Sequence, residues 1–454
     1  MKGFQNFMIM YDSHNQISIV RFIEKANLQS PDSPAITFQG TTYTWSDVYN
    51  RCYSLASYLK NRGVGPGDNV AYCVKNSNKV VELMYACAMV GAKYVPINYR
   101  LTEKEKEDIL DEVKPKIYLT IEVPDSIYKA VWDHEPFVPG CDHEAVTMSY
   151  TSGSTGNPKG VILTHNNHYL NAVYSATMYD STKEEKTLIC GPMYHGGPQN
   201  RIFGVSYLQG HMVILEKFDP LEFLQTVQEH KINCVTLAPT MIKMVLDRED
   251  FFDYDLSSLK KIISVGSPML PMLNELIREC LPSVKLYDSV GMTEATGAVI
   301  VNNEIPDHVI VKIEDGELLV KSPCVMTGYF RQESPIDQDG WLHTGDAVEE
   351  IDGKYYYRGR KKEMIITGGV NVYPIEVENV LLQHPDIKQA AVVGVPDELW
   401  GEVIHAYIVG KENDYQSYCR ETMAGFKVPK KFIYLDSLPL TGFNKVDKKA
   451  LKQL

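Results

Sequence analysis

The chain has 454 residues, of which 44% are hydrophobic and 23% charged, so it can bury a large core and does not have the composition of a disordered protein. The formal net charge of −13 argues against a protein that binds nucleic acid through phosphate contacts. An acidic protein that binds an anion must hold it with a local arrangement of donors. The length predicts two or three domains.

Nine cysteines are scattered along the chain without a CxxC pair, which predicts reduced thiols and neither a zinc site nor a disulfide framework. The N-terminal stretch shows no signal-peptide pattern, and the longest apolar runs are too short to span a bilayer. We therefore expect a cytoplasmic protein without an integral membrane segment.

Helices and short strands alternate from residue 17 to about residue 95. Apolar residues at helical spacing occur in "ISIVRFIEKANLQ", and the next stretch predicts a hairpin followed by a helix. Then come a strand in "NVAYCVKNS", a helix in "KVVELMYACAMVGA" and a strand in "KYVPIN". This alternation predicts a layered α/β architecture with parallel strand pairing.

The pattern changes after about Asp346, where short strands accompany a helix from Pro374 to His384 and a second helix near residues 415–424. This texture predicts a small α/β unit of roughly 90 residues. The boundary falls in the charged run from Arg358 to Glu363. We therefore predict an N-terminal domain of residues 1–361 and a C-terminal domain of residues 362–454.

The most informative stretch is the loop in "SYTSGSTGNPKGVILTH", residues 149–165, which lies between two predicted strands. Successive backbone N–H groups in such a Gly-rich turn can form an anion nest, and Lys159 adds a positive charge. The predicted phosphate-binding residues are Thr151, Ser152, Gly153, Ser154, Thr155, Gly156 and Lys159. It is not a Walker A loop, because Gly160 follows the lysine and no helix is predicted there. On composition alone, a polar surface turn is the alternative.

The string "YTSGSTGNPKGV" resembles the phosphate loop of the adenylate-forming superfamily, which comprises acyl-CoA synthetases, adenylation domains and luciferases. The resemblance covers essentially the whole chain, and further matches follow in the family's order: "YDSVGMTEATG", "GELLVKSPCVMTGYF", "GWLHTGD", "YRGRKKEMIITGGVNVYPIEVE" and "LPLTGFNKVDKKAL". It implies a large N-terminal layered α/β domain with a β-rich subdomain and a small mobile C-terminal α/β domain.

The resemblance is strongest to an acid–CoA ligase. It implies that a carboxylic acid and ATP give an acyl-adenylate and pyrophosphate, after which a thiol displaces AMP. The implied cofactors are ATP, Mg²⁺ and coenzyme A, or a carrier-protein phosphopantetheine in place of free CoA.

The resemblance also assigns roles around the nucleotide. Thr293 would be a phosphate donor and Glu294 a Mg²⁺ ligand, although a Thr-Glu pair alone is more typical of a helix start. Asp346 would accept hydrogen bonds from the ribose hydroxyls, and Arg360 would be a second ribose or phosphate contact. Taken singly, these two are more typical of solvated charges. The positions that flank adenine are Gly266, Asp288, Ser289 and Val290.

Three further positions concern the two half-reactions. Lys445 resembles the mobile lysine that bridges the carboxylate and the α-phosphate, although a basic tail is usually only solvated. Lys362 falls at the family's hinge. After adenylate formation, the loop at Gly368 and Gly369 would enter and line the thiol tunnel; a tight strand turn is the structural alternative for this glycine pair.

For the acid, His195 in "GPMYHGGPQN" resembles the residue beside the substrate carboxylate in acyl-activating members, whereas a lone histidine is usually structural. The stretch shows no Asp placed to meet a substrate ammonium, which favours a simple carboxylic acid. Val290 replaces a tyrosine found in many relatives, as it does in some aryl-acid ligases. This replacement favours an aryl or medium-sized acid.

Two other functions remain open from the sequence. The first is an enzyme that makes the same adenylate but loads an acyl or aryl carrier protein. The second is a nucleotide-binding protein that kept the fold and lost turnover. It is motivated by Val290, by Asn444 at a position where the family usually has glycine, and by stretches that are shorter here than in typical members.

Overall fold

The computed structural model describes residues 17–121, 123–129, 144–151, 158–441 and 446–454. As far as residue 301, strands and helices alternate, as the sequence predicts. The strands of this part are β1 Pro34–Phe38, β2 Thr41–Thr44, β3 Asn69–Tyr72, β4 Lys93–Pro96, β5 Ile117–Leu119, β6 Ala145–Thr151, β7 Lys159–Thr164, β8 Lys186–Ile189, β9 His211–Ile214, β10 Cys234–Leu237, β11 Lys261–Ser264, β12 Lys285–Met292 and β13 Gly297–Val301.

The helices of the same part flank or separate these strands. They are α1 Val20–Gln29, α2 Trp45–Asn61, α3 Asn78–Met89, α4 Glu103–Val113, α5 Ser126–Lys129, α6 His165–Met178, α7 Gly196–Leu208, α8 Pro220–His230, α9 Pro239–Leu246 and α10 Pro271–Cys280. Capping boxes begin three of them, at Thr44, Thr102 and Thr164. In each box a threonine hydroxyl and the side chain three residues later satisfy backbone N–H groups that the helix itself leaves unpaired.

Two mostly parallel sheets organise this part of the chain. One has the strand order β13-β12-β11-β10-β8-β9-β1-β2, and the other includes β7-β6-β4-β3-β5. Antiparallel pairs occur where β13 joins β12, where β2 joins β1 and where β7 joins β6. Helix α3 is buried along its whole length apart from Lys79, and its buried carboxylate, Glu82, pairs with Arg51 of α2 at 2.6 Å.

The rest of the chain is richer in antiparallel strands. These are β14 Ile310–Glu314, β15 Glu317–Lys321, β16 Gly328–Tyr329, β17 Leu342–Ile351, β18 Lys354–Arg360, β19 Ile365–Thr367, β20 Val370–Val372, β21 Ile387–Asp397, β22 Gly401–Gly410 and β23 Lys431–Tyr434. Strands β14, β15, β17 and β18 form an antiparallel sheet, whereas β16 joins β7 at the edge of the second parallel sheet.

The C-terminal unit has its own sheet and core. Its sheet has the order β20-β19-β22-β21, with β23 parallel to β22, and its helices are α11 Pro374–Leu381, α12 Tyr415–Thr422 and α13 Lys448–Leu451. A separate apolar cluster forms between this sheet and the first two of these helices. The predicted fold class, a large layered α/β domain with a β-rich subdomain and a small C-terminal α/β domain, is confirmed. The boundary at residue 361 stays a prediction.

No disulfide joins the described cysteines. All eight described cysteines are free and seven are buried, with Cys280 partly exposed; Cys141 lies outside the described residues. Among the described helices, none combines the length and apolar character that a membrane crossing requires.

Candidate active site

The predicted phosphate loop connects two paired strands. Strand β6 ends at Thr151, β7 begins at Lys159, and these two residues lie opposite each other in the ladder. The flanking strands are therefore as predicted. The loop residues Ser152, Gly153, Ser154, Thr155 and Gly156 lie outside the described residues, so their phosphate-binding role stays a prediction.

Thr293 and Glu294 lie in a short 3₁₀ turn that follows β12. The Glu294 carboxylate accepts a hydrogen bond at Oε1 from the Tyr329 hydroxyl, with an O···O distance of 2.9 Å. The Lys159 ammonium lies 4.6 Å from the centroid of the same tyrosine ring. A candidate metal ligand and a candidate phosphate-binding lysine, far apart in the sequence, are thus brought to one side chain.

His195 immediately precedes α7, and its side chain does not cap that helix. The next residue, Gly196, lies against Thr293: a Cβ atom on this glycine would be 3.4 Å from Thr293 Oγ1. The His195 ring packs against Tyr194, with ring centroids 4.6 Å apart. The structure therefore brings the predicted carboxylate-side residue next to the predicted phosphate donor.

Asp346 and Arg360 are opposite each other on β17 and β18. Arg360 Nε lies 3.1 Å from Asp346 Oδ1, and Arg360 Nη1 donates to the Thr344 carbonyl at 2.9 Å. Asp346 is only 4% exposed, so it is not a solvated surface charge. Burial alone would lower the pKa of Arg360, but negative charges, led by Asp346 and including Glu294, outweigh that effect and raise it.

The predicted adenine-flanking residues follow two adjacent parallel strands. Gly266 lies just beyond β11 with a φ of +91°, a left-handed conformation that favours glycine. On β12, Asp288 pairs with Ser264 of β11. Burial raises the pKa of the Asp288 carboxyl to about 6.

Ser289 and Val290 differ in what their side chains contact. The Ser289 side chain is buried, and its hydroxyl lies 3.1 Å from the Tyr179 hydroxyl. Any contact of Ser289 with a nucleotide would therefore come from its main chain. Val290 is partly buried and packs against the apolar cluster that includes Val161. The adenine role of both residues stays a prediction.

Lys362 lies in the 3₁₀ turn Lys361–Glu363, immediately after β18. Burial lowers its pKa, the charge of Glu363 opposes this shift, and the nearby charges of Arg360, Lys449 and Lys159 add to it. Four cations therefore lie close together here, with the carboxylates of Glu363 and Asp346 among them. A local arrangement of cations is what anion binding requires in an otherwise acidic protein.

The C-terminal tail reaches the same region. Leu440 pairs with Val446, so the residue after Lys445 is fixed in a bridge, although Lys445 itself lies outside the described residues. Close to it in sequence, Lys448 Nζ lies 2.9 Å from Glu363 Oε2 and 3.2 Å from Glu378 Oε1. These contacts place the predicted catalytic lysine's neighbours beside the predicted hinge.

Gly368 and Gly369 form the two-residue turn between β19 and β20, with φ values of +58° and +80°. Positive φ at both positions is typical of a type I′ turn. The tight turn between strands, which is the structural alternative for this glycine pair, is therefore present. Trp400 covers this turn: a Cβ atom on Gly368 would lie 2.8 Å from its Cε3 atom. The role of the turn in thiol capture stays a prediction.

Comparison with known proteins agrees with this arrangement. The model of the AMP-binding enzyme family matches residues 23–330, and that of the AMP-binding enzyme C-terminal domain matches residues 376–445. The chain belongs to the AMP-binding enzyme family.

Individual relatives of this AMP-binding enzyme are CoA ligases. It is 32% identical to a feruloyl-CoA synthase of Amycolatopsis sp, over 93% of this chain and 96% of the relative. It is 31% identical to the 2-succinylbenzoate–CoA ligase of Bacillus subtilis, over 95% of this chain and 96% of the relative. The predicted reaction class, an AMP-forming acid–CoA ligase that uses ATP, Mg²⁺ and coenzyme A through an acyl-adenylate, is confirmed.

Solved structures give the same result. The o-succinylbenzoate CoA synthetase of B. subtilis in complex with its acyl-adenylate superimposes with a TM-score of 0.87 at 29% identity, covering 95% of this chain and 97% of that one. The same synthetase in complex with ATP and a magnesium ion gives a TM-score of 0.87, also at 29% identity, with coverage of 95% and 99%.

One contact in this AMP-binding enzyme was not anticipated from the sequence. Tyr329 belongs to the string "GELLVKSPCVMTGYF", which resembles the family, but the sequence alone assigns no role to this tyrosine. The feature of the sequence that could have pointed to this contact is a tyrosine directly after Gly328 in that string. Its partners, Glu294 and Lys159, became apparent only from the packing of β16 against β7.

Proposed function

We propose that this acid–CoA ligase activates an aryl or medium-sized carboxylic acid and transfers it to free coenzyme A. In the first step a carboxylate oxygen attacks the α-phosphorus of ATP, forming an O–P bond and releasing pyrophosphate. In the second step the CoA sulfur, after losing its proton, attacks the acyl carbon, and AMP leaves with the bonding electron pair. The product is a thioester.

The phosphates would be held by the residues around Lys159. The N–H groups and hydroxyls of the loop from Thr151 to Gly156 would donate to the phosphate oxygens, and Thr293 would add a further hydroxyl. The cation cluster that includes Lys159 and Arg360 would offset the negative charge of the bound phosphates.

Glu294 fits the role of a Mg²⁺ ligand. Its carboxylate is a hard oxygen donor, and no hydrogen bond to Oε2 is present in the part of the chain that the structure describes. The described residues hold no group of three acidic, histidine or cysteine side chains that could bind a metal. The remaining ligands would therefore come from phosphates and water, as Mg²⁺ commonly accepts. When bound, the ion would neutralise phosphate charge.

The ribose would bind at Asp346, whose two oxygens can accept from two hydroxyls. Arg360 orients this carboxylate from the opposite strand. The adenine would lie along the ends of β11 and β12, near Gly266 and Asp288.

The two half-reactions would use different positions of the C-terminal domain, residues 362–454. In the first, Lys445 would bridge the carboxylate and the α-phosphate. A rotation at Lys362 would then withdraw Lys445 and bring the turn at Gly368 and Gly369 to the thiol path. This proposal also takes residues 1–361 as the stationary domain.

The acid would lie next to His195, whose neighbour Gly196 contacts Thr293. Three features favour an aryl or medium-sized acid: the stretch "GPMYHGGPQN" contains no acidic residue to meet an ammonium, the position before Gly291 is aliphatic, and relatives at 31–32% identity are named for feruloyl and 2-succinylbenzoate substrates.

The observation that carries the proposal is the meeting of Lys159, Tyr329 and Glu294 beside Thr293 and His195. The test is acid-dependent exchange of labelled pyrophosphate into ATP over a panel of aromatic and aliphatic acids, followed by titration with CoA. We expect exchange with aromatic acids and saturation by free CoA at micromolar levels.

Two outcomes would replace this proposal. Exchange without CoA turnover, rescued by an acyl or aryl carrier protein, would identify a carrier-loading enzyme. No exchange with any acid, together with measurable ATP binding, would support a nucleotide-binding protein without turnover.

A further inference from the structure

A short segment joins the two halves of the candidate phosphate site. We define it as the bridging segment, Met326–Gln332. At its start the Met326 N–H donates to the Glu294 carbonyl at 2.8 Å, and further along the Phe330 N–H donates to the Gly160 carbonyl at 2.8 Å. The segment is therefore fixed at one end to the candidate metal ligand and at the other to the strand that begins with Lys159.

The rest of the bridging segment is held along β7. Gly328 and Tyr329 pair with Ile162 and Val161, and the Gln332 amide donates to the Pro158 carbonyl at 3.3 Å. The strand pairing fixes the segment's main chain beside β7, and the Gln332 side chain adds a contact immediately before Lys159.

From this segment, Tyr329 reaches both candidate groups with one side chain. Its hydroxyl donates to Glu294 Oε1 at 2.9 Å, and the Lys159 ammonium lies 4.6 Å from its ring centroid, within the range of a cation–π contact. A tyrosine hydroxyl is protonated at neutral pH, so it is the donor in this hydrogen bond and the carboxylate is the acceptor.

We propose that Tyr329 is a positioning residue that orients the Glu294 carboxylate toward Mg²⁺ and holds the Lys159 ammonium beside it. Its hydrogen bond occupies Oε1 and leaves Oε2 for the cation. Its ring gives the lysine a fixed place close to the metal ligand in the absence of nucleotide, so less side-chain entropy is lost when phosphate binds. This inference rests on the proposed function.

A purely structural tyrosine is the alternative, because Tyr329 also packs against the apolar cluster that contains Val161. The two readings predict different results. Loss of a core contact would lower stability and weaken all ligand binding together. Loss of a positioning hydroxyl would selectively weaken the effect of Mg²⁺.

The experiment measures the ATP dissociation constant by calorimetry, once with MgCl₂ and once with EDTA. The ratio of the two constants is the Mg²⁺ enhancement. For Tyr329→Phe, which keeps the ring, we expect this enhancement to fall about 5–10-fold while metal-free ATP binding changes by less than about 2-fold. For Tyr329→Leu we expect metal-free ATP binding to weaken as well, by about 2–5-fold, because Lys159 loses its aromatic partner.

Tyr287 offers a matched control. Its hydroxyl donates to Asp180 Oδ2 at 2.7 Å, and Lys285 Nζ lies 4.9 Å from its ring centroid. Tyr287→Phe therefore removes the same kind of bond from the same kind of tyrosine. We expect it to leave the Mg²⁺ enhancement unchanged.

A double-mutant cycle with Glu294→Gln separates orientation from packing. In the Glu294→Gln background, Tyr329→Phe should produce no further loss of Mg²⁺ enhancement. An unchanged enhancement in Tyr329→Phe, or an equal loss with and without the metal, overturns the positioning role. If the wild-type protein binds MgATP but exchanges no pyrophosphate, the proposed function fails while the positioning role is still decided by these ratios.

Discussion

The Lys448 ammonium lies 2.9 Å from Glu363, so the C-terminal tail is fastened to the turn that contains the predicted hinge. Lys448 is 24% exposed and also contacts Glu378. Burial alone would lower its pKa, but the charges of Glu378 and Glu363 outweigh that effect and raise it. The two contacts of Lys448 therefore fix the part of the tail that follows Lys445 against helix α11 of the small domain.

Replacing Lys448 should test this attachment. We expect Lys448→Met to leave two carboxylates without their cation and to lower the free energy of unfolding by about 1–3 kcal/mol. We also expect pyrophosphate exchange to fall more than thioester formation from a supplied acyl-adenylate, because the tail carries Lys445, which we propose acts only in the first step. Chemical denaturation and the two half-reaction assays measure these effects. Lys452→Met, at an exposed position in the same tail, is the control and should change neither.

The predicted role of Lys445 gives a sharper kinetic expectation. Lys445→Ala should slow acyl-adenylate formation by about 100-fold or more, since it removes the cation proposed to bridge the carboxylate and the α-phosphate. Thioester formation from a supplied acyl-adenylate should remain near the wild-type rate. Equal slowing of both steps would contradict the proposal that the lysine leaves the site between them.

Asp346 should determine how tightly the nucleotide binds. Asp346→Ala removes the acceptor proposed for the ribose and leaves Arg360 without its carboxylate. We expect AMP affinity to fall by about 10–100-fold, the size of one or two charge-assisted hydrogen bonds. The comparison ligand is 2′,3′-dideoxy-AMP, which lacks both hydroxyls. If the variant discriminates between the two nucleotides as strongly as the wild-type protein does, Asp346 does not bind the ribose.

The Gly368–Gly369 turn allows a graded test. Gly369→Ala adds a Cβ atom in open space, so only its φ of +80° is strained, at a cost of about 1 kcal/mol. Gly368→Ala should cost more, because its Cβ atom would lie 2.8 Å from Trp400 Cε3. Thermal denaturation should rank the two variants, and adding Trp400→Ala should relieve part of the larger loss.

The same glycine variants test thiol capture. We expect Gly368→Ala to slow the CoA-dependent step while pyrophosphate exchange is retained. A parallel fall in both half-reactions would leave the turn with a structural role alone.

Asp288 predicts a pH effect whose sign follows from its raised pKa. Its carboxyl titrates near 6 in the folded protein against an ordinary value of 3.8, because burial disfavours the charged form. The unfolded chain therefore ionises first, and the stability associated with the protonated group is lost as the pH rises from about 4 to about 6. Asp288→Asn should flatten this part of the stability curve, as measured by denaturation at a series of pH values.

Nucleotide affinity should move in the opposite direction. If the Asp288 carboxylate accepts a hydrogen bond from the adenine amino group, AMP binding should tighten as the pH rises through about 6. A pH-independent affinity in the wild-type protein would remove Asp288 from the nucleotide site.

Most helices and strands can be predicted from the sequence because their formation depends on residues that are close together in the chain. The predicted helix from Pro374 is present but ends at Leu381, and the predicted helix near residues 415–424 is Tyr415–Thr422. The strands on both sides of the phosphate loop were also predicted. Helical spacing, strand alternation and turn residues lie within a few positions of each other, so the sequence displays them directly.

The contacts that assemble the site were harder to foresee. Tyr329 and Glu294 are 35 positions apart, and their meeting depends on how β16 docks on β7. No periodic pattern in the sequence predicts which distant strand β16 pairs with. The orientation of Ser289 could have been predicted. Successive side chains in a strand point to opposite faces of the sheet, so once residues 285–292 are recognised as a strand, Ser289 and Asp288 must face opposite sides.

The burial of seven of the eight described cysteines allows the proposed domain rotation to be tested by fluorescence. Thiol reagents attack the exposed thiolate, and burial raises the pKa of Cys190 to about 12 and of Cys419 to about 11. Once the partly exposed Cys280 and the undescribed Cys141 are replaced by serine, maleimide dyes should react with cysteines introduced as Phe252→Cys and Lys452→Cys. Energy transfer between such dyes would then follow the small domain during a single turnover.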